Sequence, residues 1–254
     1  MKKINQKVLI ENINKIAKYD LDNNKIFGSS YCVLQKNKII TKNHFGHVSK
    51  NSIRPINDDC IFRLASMTKP ITAIATLILV DRGLLSLDDP IDKYLPEFKD
   101  IHVISYTDFD TKTDLGKAKN QIKIENLLNH TSGIGSDPYK EQKLTGVDKQ
   151  NLDNTIKFYI NAGLDFEPSK KQQYSGSGAF DVLVKIIEKV SKKDFLTFLK
   201  EEIFEPCNMV DTTFIPTNEQ WVRLVDMHNR VDGESVVSDF KNGCIYIDYP
   251  CTHF

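Results

Sequence analysis

Phe62-Arg63-Leu64-Ala65-Ser66-Met67-Thr68-Lys69-Pro70, followed by the apolar run Ile71 to Val80, places a hydroxyl and an amine at the start of one helix. Proline is tolerated only in the first turn of a helix, where backbone N–H groups have no intrahelical partner, so Pro70 sets that start near Ser66. Lys69 then lies one turn along the same face, within reach of the Ser66 hydroxyl. An alcohol is a poor nucleophile near neutral pH, and an uncharged amine in contact with it can take its proton as it attacks a carbonyl. The apolar run and the positive end of the helix dipole both disfavour an ammonium there, and the N–H groups of the helix start suit a developing oxyanion. A second Ser-x-x-Lys spacing, Ser238-Asp239-Phe240-Lys241, lies in loop-like sequence with no helix after it and lacks this setting.

Outward from Ser66, the helix repeats apolar residues at Ile71, Ile74, Ala75, Ile78 and Leu79, with most other positions apolar too, and is expected to be buried on all sides until Gly83 stops it. Upstream, Leu9, Ile13, Ile16 and Ala17 form the packing face of an amphipathic helix ending near Asp20 to Asn24. Gly28 to Leu34 and Ile39 to Thr41 read as strands around the turn Gln35-Lys36-Asn37-Lys38, the one clear hairpin. Downstream, Leu87-Asp88-Asp89-Pro90 starts a short helix, and His102 to Asn120 reads as an irregular surface excursion. Ile122 to His130 ends in the turn Asn129-His130-Thr131-Ser132-Gly133, where His130 is expected to hydrogen-bond the turn. Leu152 to Ala162 is a helix closed by Gly163. After Tyr174-Ser175-Gly176-Ser177-Gly178, two helices follow, one with the stripe Phe180, Leu183, Val184, Ile187 and Val190, the other capped by Asp194. Beyond Phe214 only Val236-Val237 and Ile245 to Ile247 suggest short strands.

Among the 254 residues, 34 basic and 34 acidic side chains cancel, which removes any electrostatic case for nucleic acid or an anionic membrane surface. Ile71 to Val80 is too short to span a bilayer. Lys2 and Lys3 are followed by polar sequence rather than an unbroken apolar core, which argues against a cleaved signal peptide. Five cysteines without a Cys-x-x-Cys pair favour reduced thiols and a cytoplasmic location. His44 and His47 read as turn histidines, and neither a metal nor a cofactor is expected. The expected partner is a small molecule.

Several stretches then carry a resemblance: Phe62 to Pro70, Leu84 to Phe98, Leu127-Leu128-Asn129-His130-Thr131-Ser132-Gly133-Ile134, and Glu188 to Phe214 with Ile203-Phe204-Glu205-Pro206. From about Gly28 to Phe214 the chain resembles the serine hydrolases related to class C β-lactamases, a family that also holds D-alanyl-D-alanine peptidases and carboxylesterases. The resemblance implies Ser66 as the acylated nucleophile, Lys69 as its activating amine and Tyr174 as the second proton-transfer residue, with Ser175 and Gly176 beside the substrate. In the family this tyrosine opens a Tyr-x-Asn motif whose asparagine helps hold an amide-bearing substrate. Gly176 stands in that place here, which points towards the esterase branch.

The implied fold is an α/β (α+β) sandwich of the β-lactamase/transpeptidase-like type, an antiparallel sheet flanked by helices with a mainly helical subdomain. One domain over residues 1–254 is expected, with an α/β part (1–83), a helical part (84–214) and an irregular tail (215–254). The family's C-terminal strands and its third motif, of Lys-Thr-Gly or His-x-Gly type, are not found, so the domain is expected to be incomplete at its C-terminus. The implied activity is carboxylic ester hydrolysis through an acyl-enzyme. The alternatives are a β-lactamase or D-alanyl-D-alanine peptidase-type amide hydrolase and, in a different class, an inactive remnant or binding module.

Overall fold

The structure, a computed structural model, describes residues 5–108, 111–135 and 152–238. These fall into two units, one drawn from Met1–Arg63 and Pro216–Ile245, the other from Leu64–Ile215. The helix that follows Ser66 falls in the second unit, and Pro216 to Ser238 falls in the first.

In the first unit, helix α1 (Gln6–Asp22) begins where the Asn5 side chain accepts the Val8 N–H at 3.2 Å. Ala17 is buried, but Ile16 is exposed, so the packing face is narrower than the apolar stripe implied. Strands β1 (Gly28–Gln35) and β2 (Lys38–Gly46) form the expected antiparallel hairpin. Its turn residues Lys36 and Asn37 both have positive φ, 51° and 59°, the twist that suits a two-residue connection.

The second unit is organised on helix α2 (Thr68–Asp81), with Pro70 in its first turn and a 3-10 turn, Ala65–Met67, leading into it. It is not buried all round. The buried face runs through Thr68, Lys69, Thr72, Ala75, Thr76 and Leu79, while Ile74 and Leu77 on the other side are 49% and 46% exposed. Counting apolar letters missed the threonines. Thr76 satisfies its hydroxyl by donating to the Thr72 carbonyl at 3.0 Å, which lets a polar side chain enter the core. Between Leu87 and Phe98 the expected helix is two short 3-10 turns, Ile91–Lys93 and Pro96–Phe98. Pro96 has no N–H to carry a longer helix through.

The segment expected to be irregular is a second hairpin, β3 (His102–Tyr106) with β4 (Lys112–Lys117), pinned where the Ile104 N–H donates to the Leu164 carbonyl at 2.7 Å. Alternation was hidden there by charged and hydroxyl residues, which are tolerated because β4 is almost wholly exposed. Helices α3 (Ile124–Leu128) and α4 (Leu152–Ala162) follow. Helix α5 (Gly178–Ser191) buries more than its predicted stripe, since Ala179, Val182 and Ile186 are inside as well. Helix α6 (Phe195–Leu199) is capped by Asp194, whose carboxylate accepts the Thr197 N–H at 3.0 Å. The core of this unit joins Ala75 and Leu79 of α2, Phe180, Leu183 and Ile187 of α5, and Phe195 and Phe198 of α6.

The turn after α3 is knitted by Asn126, which is 2% exposed. Its amide donates to Thr131 Oγ1 at 2.8 Å and Ser169 Oγ at 3.0 Å, and its Oδ1 accepts the Lys123 N–H at 2.8 Å. Gly133 closes the same turn at φ +79°, and a β-carbon on it would lie 2.4 Å from the Phe166 carbonyl oxygen. Gly133→Ala is therefore expected to lower stability by about 2 kcal/mol or more, because backbone strain and a clash with main chain coincide. Thermal or urea denaturation checks this.

Returning to the first unit, the stretch expected to be an irregular tail holds helix α7 (Asn218–Arg223) and a third hairpin, β5 (Met227–Val231) with β6 (Glu234–Ser238). It is tied back by the Val225 N–H to the Ile61 carbonyl at 2.8 Å and the Asp226 N–H to the Val48 carbonyl at 3.0 Å. Val236-Val237 is a strand as expected. Ile245 to Ile247, Cys244, Cys251 and most of Ser238 to Lys241 lie outside the described residues. Antiparallel pairing is present as three two-stranded sheets among the described residues, so the first hairpin is not the only one. No helix of the described residues is long and apolar enough to cross a membrane.

Candidate active site

The local sequence explains how Ser66 is presented. Ala65, just before it, sits at φ +47°, in the left-handed region that a residue with a β-carbon enters at a cost of roughly 1–2 kcal/mol. The Met67 N–H then donates to the Leu64 carbonyl at 3.0 Å, and the 3-10 turn feeds α2. Ser66 is exposed at this bend, while Lys69, one turn on, is only 6% exposed. Lys69 Nζ lies 3.4 Å from Ser66 Oγ and donates a short 2.5 Å hydrogen bond to the Gly176 carbonyl.

Tyr174 arrives from 108 residues away in sequence, and its hydroxyl donates to Ser66 Oγ at 2.6 Å. The two residues flanking Tyr174 are both fixed by His130. The Gln173 N–H donates to the His130 carbonyl at 3.0 Å, and the Ser175 N–H donates to His130 Nδ1 at 3.2 Å. The His130 ring lies 4.8 Å from the Tyr174 ring and 5.5 Å from the Phe180 ring, centroid to centroid. Lys69 Nζ sits 5.0 Å from the Tyr174 centroid and 5.4 Å from that of Phe180, so aromatic faces surround the amine. Burial, and then the Lys69 charge, hold His130 below the usual imidazole range, which keeps its ring neutral and Nδ1 free to accept.

The three residues singled out for chemistry are thus brought together on one hydroxyl. Ser175 and Gly176 have different places from Tyr174. The Ser175 side chain is buried at 1% exposure, and its Oγ accepts the Ala179 N–H at 3.0 Å at the start of α5, so it shapes the loop rather than facing outward. Gly176 contributes its carbonyl, which holds the amine of Lys69. Sequence reasoning missed the bend at Ala65, the Asn126 knot and the Phe180 ring. Of these, only Asn126 left a signal, as an asparagine three residues after the helix-preceding Lys123. Among the described residues no group of three or more histidine, cysteine or acidic side chains is placed to hold a metal ion. His44 pairs instead with Asp58, Nε2 to Oδ1 at 2.9 Å.

Comparison with known proteins shows the family and the fold. The family model described as Beta-lactamase matches residues 13–245. Esterase EstB of Burkholderia gladioli is 30% identical over 201 residues, covering 75% of this chain and 48% of the esterase. Penicillin-binding protein 4* of Bacillus subtilis is 28% identical over 191 residues, covering 73% of this chain and 38% of that protein. The chain therefore spans about half the length, or less, of these relatives. Among solved structures, EstCE1, a hydrolase with promiscuous acyltransferase activity, superposes with a TM-score of 0.79 at 23% identity, over 93% of this chain and 60% of its own. That likeness establishes the β-lactamase/transpeptidase-like fold.

Proposed function

The chain belongs to the Beta-lactamase family, a family of serine hydrolases, and on that premise we propose that it hydrolyses carboxylic esters through an acyl-enzyme on Ser66. The observation that carries the reading is the convergence of Lys69 Nζ and Tyr174 Oη on Ser66 Oγ, at 3.4 and 2.6 Å. Ser66 attacks the ester carbonyl as its proton passes to Lys69 in its uncharged amine form, while the Tyr174 hydroxyl, which donates to Ser66 Oγ, is placed to hand a proton on. The N–H groups at the helix start stabilise the tetrahedral oxyanion. Collapse expels the alkoxide, which takes a proton from the same pair, and a water activated by that pair then releases the acid.

An ester fits better than an amide for two reasons. Gly176 offers no side chain to hold a substrate amide, and its carbonyl is already engaged with Lys69. A site without a partner for a substrate's polar group discriminates against the substrate that carries it. The similarity to a penicillin-binding protein makes amide and β-lactam hydrolysis the competing reading. A panel of 4-nitrophenyl acetate and butyrate, a chromogenic cephalosporin and a D-alanyl-D-alanine peptide separates the two. Esters are expected to be turned over with kcat/KM at least ~100-fold above the other two. Turnover of the cephalosporin or the peptide at the ester rate would overturn the ester reading.

A further inference from the structure

We propose that His130 is a positioning residue that fixes Tyr174 for proton transfer by holding the backbone on both sides of it. The inference rests on the reading of Ser66, Lys69 and Tyr174 as the reacting set. His130 ends α3 at φ +62°, a left-handed setting that glycine or asparagine fills most readily and that a histidine adopts only against steric resistance. Its side chain offsets that. Its Nδ1 takes the Ser175 N–H while its main-chain carbonyl takes the Gln173 N–H, so the residues on both sides of Tyr174 hang on one residue. The ring also packs against both the Tyr174 and the Phe180 rings, at 4.8 and 5.5 Å between centroids, which supports the tyrosine whose hydroxyl reaches Ser66 Oγ.

The bond to Ser175 requires the tautomer with its proton on Nε2. Protonating Nδ1 turns the acceptor into a donor that faces another N–H, and it places a cation beside the Lys69 amine. The titratable groups facing His130 are Lys69 from α2 and Tyr174 from the loop, and α5 presents the apolar Phe180 ring. Because burial and Lys69 both favour the neutral ring, positioning is complete above the ordinary imidazole range and is lost as pH falls through the lowered value.

Two variants test this. His130→Gly suits the backbone but removes the acceptor, whereas His130→Asn suits the backbone and places Oδ1 near the position of Nδ1 without titrating. The readouts are the rate of Ser66 labelling by a fluorophosphonate, the ester kcat and KM, and hydrogen exchange at the Ser175 amide. His130→Gly is expected to keep its thermal midpoint, to lose about 10- to 100-fold in labelling rate and kcat with little change in KM, and to exchange the Ser175 amide faster. His130→Asn is expected to recover most of that rate. As pH is lowered below the ordinary imidazole range, the wild-type rate should fall relative to that of His130→Asn.

A His130→Gly protein with wild-type kcat and wild-type protection at Ser175 would overturn the proposal, as would a ratio of wild-type to His130→Asn rates that does not change with pH. Failure of the underlying reading looks different. In that case Ser66→Ala would label as the wild type does, whatever the His130 variants do.

Discussion

Ser66→Ala is expected to abolish acyl-enzyme formation and to lower ester turnover on the order of 10⁴-fold or more. The size of the effect follows from what is removed. Lys69 Nζ and Tyr174 Oη both converge on Ser66 Oγ, and without that oxygen neither has a proton to move. Alanine also fits the local backbone, since its neighbour Ala65 already occupies the harder conformation and Ser66 is exposed. The loss should therefore come without unfolding, which circular dichroism and the thermal midpoint would establish. Ser238→Ala, at the other Ser-x-x-Lys spacing, is expected to leave the rate unchanged. Equal loss in both variants, measured with 4-nitrophenyl butyrate, would remove Ser66 from the role given to it.

The second large effect is expected at Lys69. Lys69→Ala should lose on the order of 10³-fold or more in kcat, close to the serine variant, because members of one proton-transfer unit are not additive. It should differ from Ser66→Ala in a second respect. The lysine is buried and donates to the Gly176 carbonyl, so its removal strands an acceptor and opens a void at the root of α2, lowering stability by roughly 1–3 kcal/mol. Lys69→Met fills most of the void and separates the two effects. Its stability is expected to lie nearer the wild type while its activity stays as low as that of the alanine variant. A methionine variant that retained activity within ~10-fold of the wild type would mean that another base serves Ser66.

The sequence revealed the centre of this site better than its frame. Pro70 located the helix start because proline permits few alternatives, and the Lys69 spacing then followed from helix geometry. The approach of Tyr174 to Ser66 came only through the family resemblance, because no local pattern reports a contact made across 108 residues. The buried face of α2 was misread because threonine counts as polar, although Thr72 and Thr76 are fully inside. The third hairpin had a usable signal in Asp232-Gly233, which forms the two-residue turn between β5 and β6 with φ of 51° and 84°. The weak periodicity around that dipeptide masks it. The left-handed bend at Ala65 had no signal, because alanine carries no preference for such a conformation and only its surroundings hold it there.

His130 shows the same limit from the other side. The expectation that it hydrogen-bonds its turn was close in kind but short in range. Its carbonyl and ring reach across to Gln173 and Ser175 rather than to Thr131 or Ser132. A helix end can be read from sequence; the segment that docks against it cannot.

The proposed chemistry requires Ser66 to be an activated nucleophile in this 254-residue chain. Intact mass spectrometry after exposure to a fluorophosphonate probe, with Ser66→Ala as control, tests it without choosing a substrate. One phosphonyl adduct per chain is expected, mapped to Ser66 and absent from the control. A folded protein that takes up no adduct, or one that labels equally with and without the Ser66 hydroxyl, would contradict it.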